Sequence, residues 1–306
     1  MPDAGMRTPV AWKPGTAATD AESRAMAALL ALVSAFCYGV SDFSGGLAAR
    51  RVSATAVVLV SNAFSLLLAV LAVALLPGST YSASDMAWGV TAGAVGLLGV
   101  VLLYRGLAIG PMSVVAPLTA VLSAVVPVVV GVIRGERPGA LAVTGIVLAV
   151  PAMFLIGREP THGGARLRRG AVISALCAGV SFGGFYVLLA QTGSNGGAWP
   201  LVGQRASSVL ILLVLTAVAA MRGTAALPTD GALRLSLIAG VTDFAANLAY
   251  VLATHRGLLA LVAVISSLYP ATTLLLARGV LKERVARQQG AGLVLAAAAV
   301  ALIALH

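Results

Sequence analysis

The chain has 306 residues, of which 59% are hydrophobic and only 10% charged, with a net charge of +10. Soluble domains carry about 25% charged residues, so this composition, with a mean hydropathy of +1.00, excludes an ordinary water-soluble fold. The basic balance does not point to nucleic acid, because no basic recognition motif accompanies it, and most arginines flank apolar runs, as expected for membrane anchoring and contact with anionic lipid.

In chain order, residues 1–22 read as a polar, disordered tail without the apolar core of a cleavable signal. Ten apolar runs follow, at roughly 24–43, 53–76, 86–107, 113–133, 138–156, 170–190, 199–221, 231–254, 258–278 and 286–305. Each is long enough to span a bilayer as a helix. The connections are short and rich in Pro, Gly and Arg, the longest being the basic loop 158–169. The expected fold is therefore an all-α integral membrane protein of ten transmembrane helices.

The chain also repeats itself. Residues 31–41 (ALVSAFCYGVS) and 171–181 (AVISALCAGVS) agree at seven of eleven positions, and 113–137 echoes 260–284. Two units of five spans result, 23–157 and 170–306. An odd number of spans per unit forces the two to insert in opposite orientation, an inverted repeat of the kind found in secondary transporters. Cys37 and Cys177 occupy equivalent positions and read as small apolar filler.

Polar residues inside spans carry the functional argument. Asp243, Asn247, Tyr250 and Thr254 fall on one face of the eighth span. A carboxylate at the bilayer centre costs about 2.5–3.5 kcal/mol even on the lenient insertion scale, so this stripe is expected to face protein or a water-filled cavity. Asp42 ends the polar face of the first span below Ser34, Tyr38 and Ser41, with ion pairing at the interface as the competing reading. Its repeat counterpart is Phe182, and that of Asp243 is Gly96, so the acids break the internal symmetry. Asn62 and Ser65, the stripe Gln204, Ser207 and Ser208 with Arg205 turned another way, and Ser266, Ser267, Tyr269 and Thr273 are further cavity candidates. Pro117, Pro127 and Pro270 are candidate hinges, each freeing a carbonyl inside a span. Glu136-Arg137 and Glu283-Arg284 end equivalent spans and read as structural charged stops.

Enzymatic readings find no support. Gly179-Val-Ser181-Phe-Gly183 matches a nucleophile elbow in letters only, since it lies within a span; it and Gly89–Gly93 read as close-packing GxxxG pairs. The three histidines have no metal-ligand spacing, no phosphate-binding loop is present, and no cofactor is implied.

Tyr104-Arg-Gly-Leu-Ala-Ile-Gly-Pro-Met-Ser-Val-Val-Ala-Pro117 leading to Gly135-Glu-Arg137, and Ser266-Ser-Leu-Tyr-Pro270 leading to Lys282-Glu-Arg284, resemble the EamA-type branch of the drug/metabolite transporter superfamily over roughly residues 25–305. Tyr38-Gly-Val-Ser-Asp42-Phe43 resembles that family's Trp-Gly-x-Asn-Phe segment with Tyr and Asp substituted. The resemblance implies an inverted-repeat basket around a central cavity, in a bacterial-type plasma membrane. It also implies a permease, more often an exporter, for amino acids, sugars, nucleotide-linked metabolites or drugs. Both termini would then be cytoplasmic. The Lys/Arg count, about seven against about thirteen in the two sets of connections, votes the other way.

The residues themselves favour a secondary-active permease for a small polar or amphipathic metabolite. Asp243 would serve substrate ammonium binding or proton coupling, with Asn247, Tyr250 and Tyr38 as hydrogen-bonding partners and Asp42 second. Protons are the candidate coupling ion. A non-transporting membrane scaffold or accessory subunit is the alternative.

Overall fold

The computed structural model describes residues 17–75, 79–109, 112–156, 169–221, 230–282 and 286–305, apart from the side chains of a few helical positions such as Tyr104 and Pro117. The described residues are helical almost throughout. The helices are α1 (Ala17–Ala49), α2 (Ala54–Leu75), α3 (Ala83–Ile109), α4 (Met112–Ile133), α5 (Ala140–Ile156), α6 (Arg169–Leu189), α7 (Trp199–Met221), α8 (Asp230–Thr254), α9 (Leu259–Ser266), α10 (Tyr269–Leu281) and α11 (Arg287–Ala304). Helices are the required answer for apolar chain in lipid, where each backbone N–H and C=O must be satisfied within its own segment.

Eight segments are long and apolar enough to cross a membrane, and two shorter apolar helices, Leu118–Ile133 and Ala140–Ile156, complete the ten. The ninth span is two helices rather than one bent helix: α9 ends at Ser266, Ser267 and Leu268 interrupt it, and α10 starts at Tyr269 with Pro270 in its first turn. There a missing N–H costs nothing, because the first-turn donors have no intrahelical partner. Pro127 instead sits within α4, which runs on without interruption and buries the ring. At the amino end α1 begins at Ala17, inside the stretch read as disordered tail.

Packing follows the duplication. α1 lies along α8 and α3 along α6, and these two pairs exchange when the halves exchange. In the same way α2 meets α8 as α7 meets α3, while α5 packs on α11 and α2 on α7 across the pseudo-twofold itself. The match extends to single atoms. Ser65 Oγ donates to the Gly240 carbonyl at 2.6 Å, and Ser208 Oγ donates to the Gly93 carbonyl at 3.2 Å. A Cβ on Gly240 would collide with the Ser61 carbonyl, and one on Gly93 with the Gln204 carbonyl. Small residues permit this approach: Ala31, Ala69, Ala92, Ala149, Ala175, Ala178, Ala246 and Ala299 are wholly buried. Both GxxxG pairs do the same, Gly89 and Gly93 against α7, and Gly179 and Gly183 against Thr119, Leu122 and Val126 of α4. Leu29, Phe36, Leu71, Val132, Leu210 and Val214 point outward as the apolar girdle a bilayer requires. Cys37 is half-buried, Cys177 faces outward, and both are free thiols.

One end of the bundle is closed by polar contacts. Glu136, between α4 and α5, accepts from the backbone N–H groups of Leu259 (2.7 Å) and Ala260 (3.0 Å), capping α9 from the other half of the chain. α9 has no side-chain cap of its own, so this carboxylate satisfies donors that would otherwise be orphaned and meets the positive end of the helix dipole. Glu136 is therefore a clamp between the halves rather than a stop at its own helix end; Arg137 is exposed, and Glu283 and Arg284 lie outside the described residues. On the same face Asp85 accepts from Gly193 N–H at 3.0 Å and Thr80 N–H donates to the Asn195 carbonyl at 2.9 Å. His255 Nε2 lies 2.8 Å from the Thr192 carbonyl.

Candidate functional site

A cavity of about 1060 Å³ lies between the halves. Its walls come from the second half of α1, the first half of α2, the middle of α3 and α8, the first halves of α4 and α7, the ends of α5 and α6, and from α10, and it extends to Ala49, Ala54, Ile156 and Gln289 at the end opposite the clamped one. It thus reaches from mid-bundle toward one face and stops short of the other.

The polar centre is built on α7 and α8. The guanidinium of Arg205 pairs with the carboxylate of Asp243, and its other terminal nitrogen donates to Asn62 Oδ1 at 2.8 Å. Asn62 Nδ2 donates in turn to the Val58 carbonyl at 2.8 Å, which fixes its amide orientation. Asn247, one turn beyond Asp243, is a hub: its Oδ1 accepts from Tyr38 OH (2.9 Å) and Gln204 Nε2 (3.2 Å), and its Nδ2 donates to the Asp243 carbonyl (2.7 Å). Those donors also orient Gln204, because the flipped amide would set two carbonyl oxygens face to face. Two polar atoms of this buried cluster are left without partners, Gln204 Oε1 and Arg205 Nε.

Aromatic rings line the wall beside it. Tyr38 lies edge-on to both Tyr186 and Tyr269, with ring centroids 6.2 Å apart in each case. Tyr186 packs on Tyr250 at 4.7 Å. Asp42, one turn beyond Tyr38 on α1, is exposed to the cavity. Arg278 lines it from the last turn of α10.

Of the residues singled out in the sequence, Tyr38, Asp42, Asn62, Gln204, Asp243, Asn247, Tyr269 and Pro270 line this one cavity. Tyr250 does not: it is wholly buried behind the wall and donates to the Tyr186 carbonyl at 3.1 Å. Thr254 turns back onto the Val251 carbonyl, so the stripe on α8 is cavity at one end and core at the other. Ser267 is also wholly buried, at the break in the ninth span, and Pro127 is a core residue. The side chain of Pro117 lies outside those described.

The largest correction concerns Arg205. It does not turn away from Gln204 and Ser208 but is 5% exposed and points at Asp243. Adjacent helix positions are only about 100° apart, and a long guanidinium stem covers that angle. An arginine left facing lipid would carry the intramembrane charge penalty uncompensated. The signal was present: an Arg six residues into an apolar span needs an acid, and Asp243 needed a base. Tyr186, Phe182 and Phe185 also line the cavity, without a sequence signal to separate them from core aromatics.

The profile of the EamA-like transporter family matches residues 25–158 and again 169–305, together nearly the whole chain. No curated protein matches the sequence. A solved structure described only as "Crystal structure of protein" superposes with a TM-score of 0.72, at 15% identity, over 90% of this chain and 95% of that one, which is a likeness of fold.

Proposed function

Because the chain belongs to the EamA-like transporter family, within the drug/metabolite transporter superfamily, and so moves small molecules across a membrane rather than transforming them, we propose that it is a secondary-active exporter of a small polar or amphipathic metabolite. The observation that carries this reading is the cavity itself. It is built from both halves, lined by an ion pair and by tyrosines, and stops short of the face where Glu136 joins the halves. In an inverted repeat, rocking one half against the other exposes such a site to the two faces in turn.

Asp243 is the coupling carboxylate. A proton arriving on it removes the charge that holds Arg205, and the guanidinium is then left on Asn62 Oδ1 alone. The break at Ser267-Leu268 supplies the joint at which α10 moves relative to the clamped α9. Export rests on the family resemblance and proton coupling on the intramembrane acid.

The test compares metabolites inside cells and in the medium for the wild type and Asp243→Ala at matched membrane levels. A compound redistributed by the wild type alone supports the permease and the site together. Redistribution by both keeps the permease and removes the site, and redistribution by neither supports the scaffold. An Asp243→Asn form that exports at full rate and still depends on the proton gradient contradicts the coupling role.

A further inference from the structure

We propose that the substrate of this cavity is an amphipathic amine, a protonated nitrogen on an aromatic or aliphatic body, and that Asp42 together with Gln204 Oε1 holds the nitrogen. The proposal rests on the transporter reading and goes beyond it by naming a ligand class and the groups that select it.

The argument is one of charge and hydrogen-bond accounting within the cavity. Of its two acids, Asp243 is matched by Arg205. Asp42 is not: among the described residues no hydrogen bond or ion pair joins it, although it lies in a membrane span and faces the cavity. The remaining cation in the wall, Arg278, lies nine residues along α10 from Tyr269. That is roughly 13 Å of helix, which puts it near the mouth, whereas Asp42 is one turn from Tyr38 at the tyrosine cluster.

The second observation is independent of charge. Gln204 is 3% exposed, lines the cavity, and spends its NH2 on Asn247, which leaves Oε1 without a donor. A buried amide oxygen without a partner is costly and marks the place of a donor that arrives with the ligand. An ammonium group supplies donors for both acceptors at once. The faces of Tyr38 and Tyr269 add the cation–π attraction that favours organic cations, and Phe182 and Phe185 receive the apolar body. The repeat places Phe182 where the first half has Asp42, so the same position serves charge on one side and apolar contact on the other.

The test uses the full chain in lipid nanodiscs and equilibrium binding of radiolabelled 2-phenylethylamine, with unlabelled 2-phenylethanol and 3-phenylpropionate as neutral and anionic competitors of the same shape. The expected result is saturable amine binding with at least tenfold preference over both competitors. Binding should weaken at least tenfold in Asp42→Asn, several-fold in Gln204→Met, and stay near wild type in Asp42→Glu, which also controls for folding. Equal competition by the alcohol or the carboxylate, undiminished binding in Asp42→Asn, or no saturable binding of the amine overturns the proposal. If the amine fails while wild-type cells still redistribute a metabolite in the Asp243-dependent assay, the permease stands and only the ligand class falls.

Discussion

Asn62 on α2 and Arg205 on α7 sit at equivalent places in the two halves. Ser61 backs onto Gly240 as Gln204 backs onto Gly93, and the residues one step further, Asn62 and Arg205, meet each other across the pseudo-twofold. The scaffold contacts on either side are matched, and the residues that line the cavity are not: Asp42 has Phe182 as its repeat counterpart, and Asp243 has Gly96, and all four line the same cavity. Duplication therefore explains the framework, in which small residues and serines repeat, and fails where charge enters. Charge in a bilayer is expensive, so a position that gained it in one copy alone did so for a reason the framework does not supply.

The comparison breaks most sharply at the ion pair. Arg205→Met or Asp243→Leu alone strands a buried charge and is expected to cost about 3–5 kcal/mol, read as a lower melting temperature of the purified protein. The double variant should recover most of that stability and none of the transport. Singles as stable as wild type would mean that the pair is solvated and unimportant.

Next in size are the matched glycines. Gly93→Ala and Gly240→Ala each drive a methyl into a carbonyl of the neighbouring helix, an overpacking cost of about 1–3 kcal/mol. The two costs should agree within about 1 kcal/mol if the halves are equivalent there. Gly46→Ala, with open space around its Cβ, is the neutral control.

Glu136→Gln keeps the shape of the clamp and weakens it. The cap is charged, so a loss of about 0.5–2 kcal/mol is expected, together with faster thiol labelling of a cysteine placed at Ala263 behind it. Unchanged labelling would show that this face is sealed by packing alone. The smallest effect belongs to Cys177→Ala, which should stay within about 0.5 kcal/mol of wild type in a melt and, together with removal of Cys37, provides the background for labelling.

Much of this was legible beforehand. The ten spans follow from the length of apolar runs, and the two halves from repeated letters. Asp243, Asn247, Tyr38 and Gln204 stand out in the sequence because polar side chains are sparse in these apolar spans and fall at helical spacing. What stayed hidden was three-dimensional. The period of α8 put Tyr250 on the face of Asp243, yet one further turn takes that face from the cavity into the core. Helix period sets the direction in which Arg205 leaves α7 but not the reach of its guanidinium, and that reach brings it to Asp243. Glu136 as a clamp on α9 joins residues more than a hundred positions apart, and no local pattern announces it. The break at Ser267-Leu268 was read as a bend because Pro270 lies within a continuous apolar run, whereas the ring occupies the first turn of a new helix.

The central claim is that this cavity opens alternately to the two faces of the membrane. The most direct measurement is labelling of Ser41→Cys, a cavity residue, in a chain lacking Cys37 and Cys177, by a membrane-impermeant thiol reagent applied separately to right-side-out and inside-out vesicles. The account predicts reaction from both faces in membranes that remain tight to small ions. Reaction from one face only, under all conditions, would describe a static vestibule and contradict it.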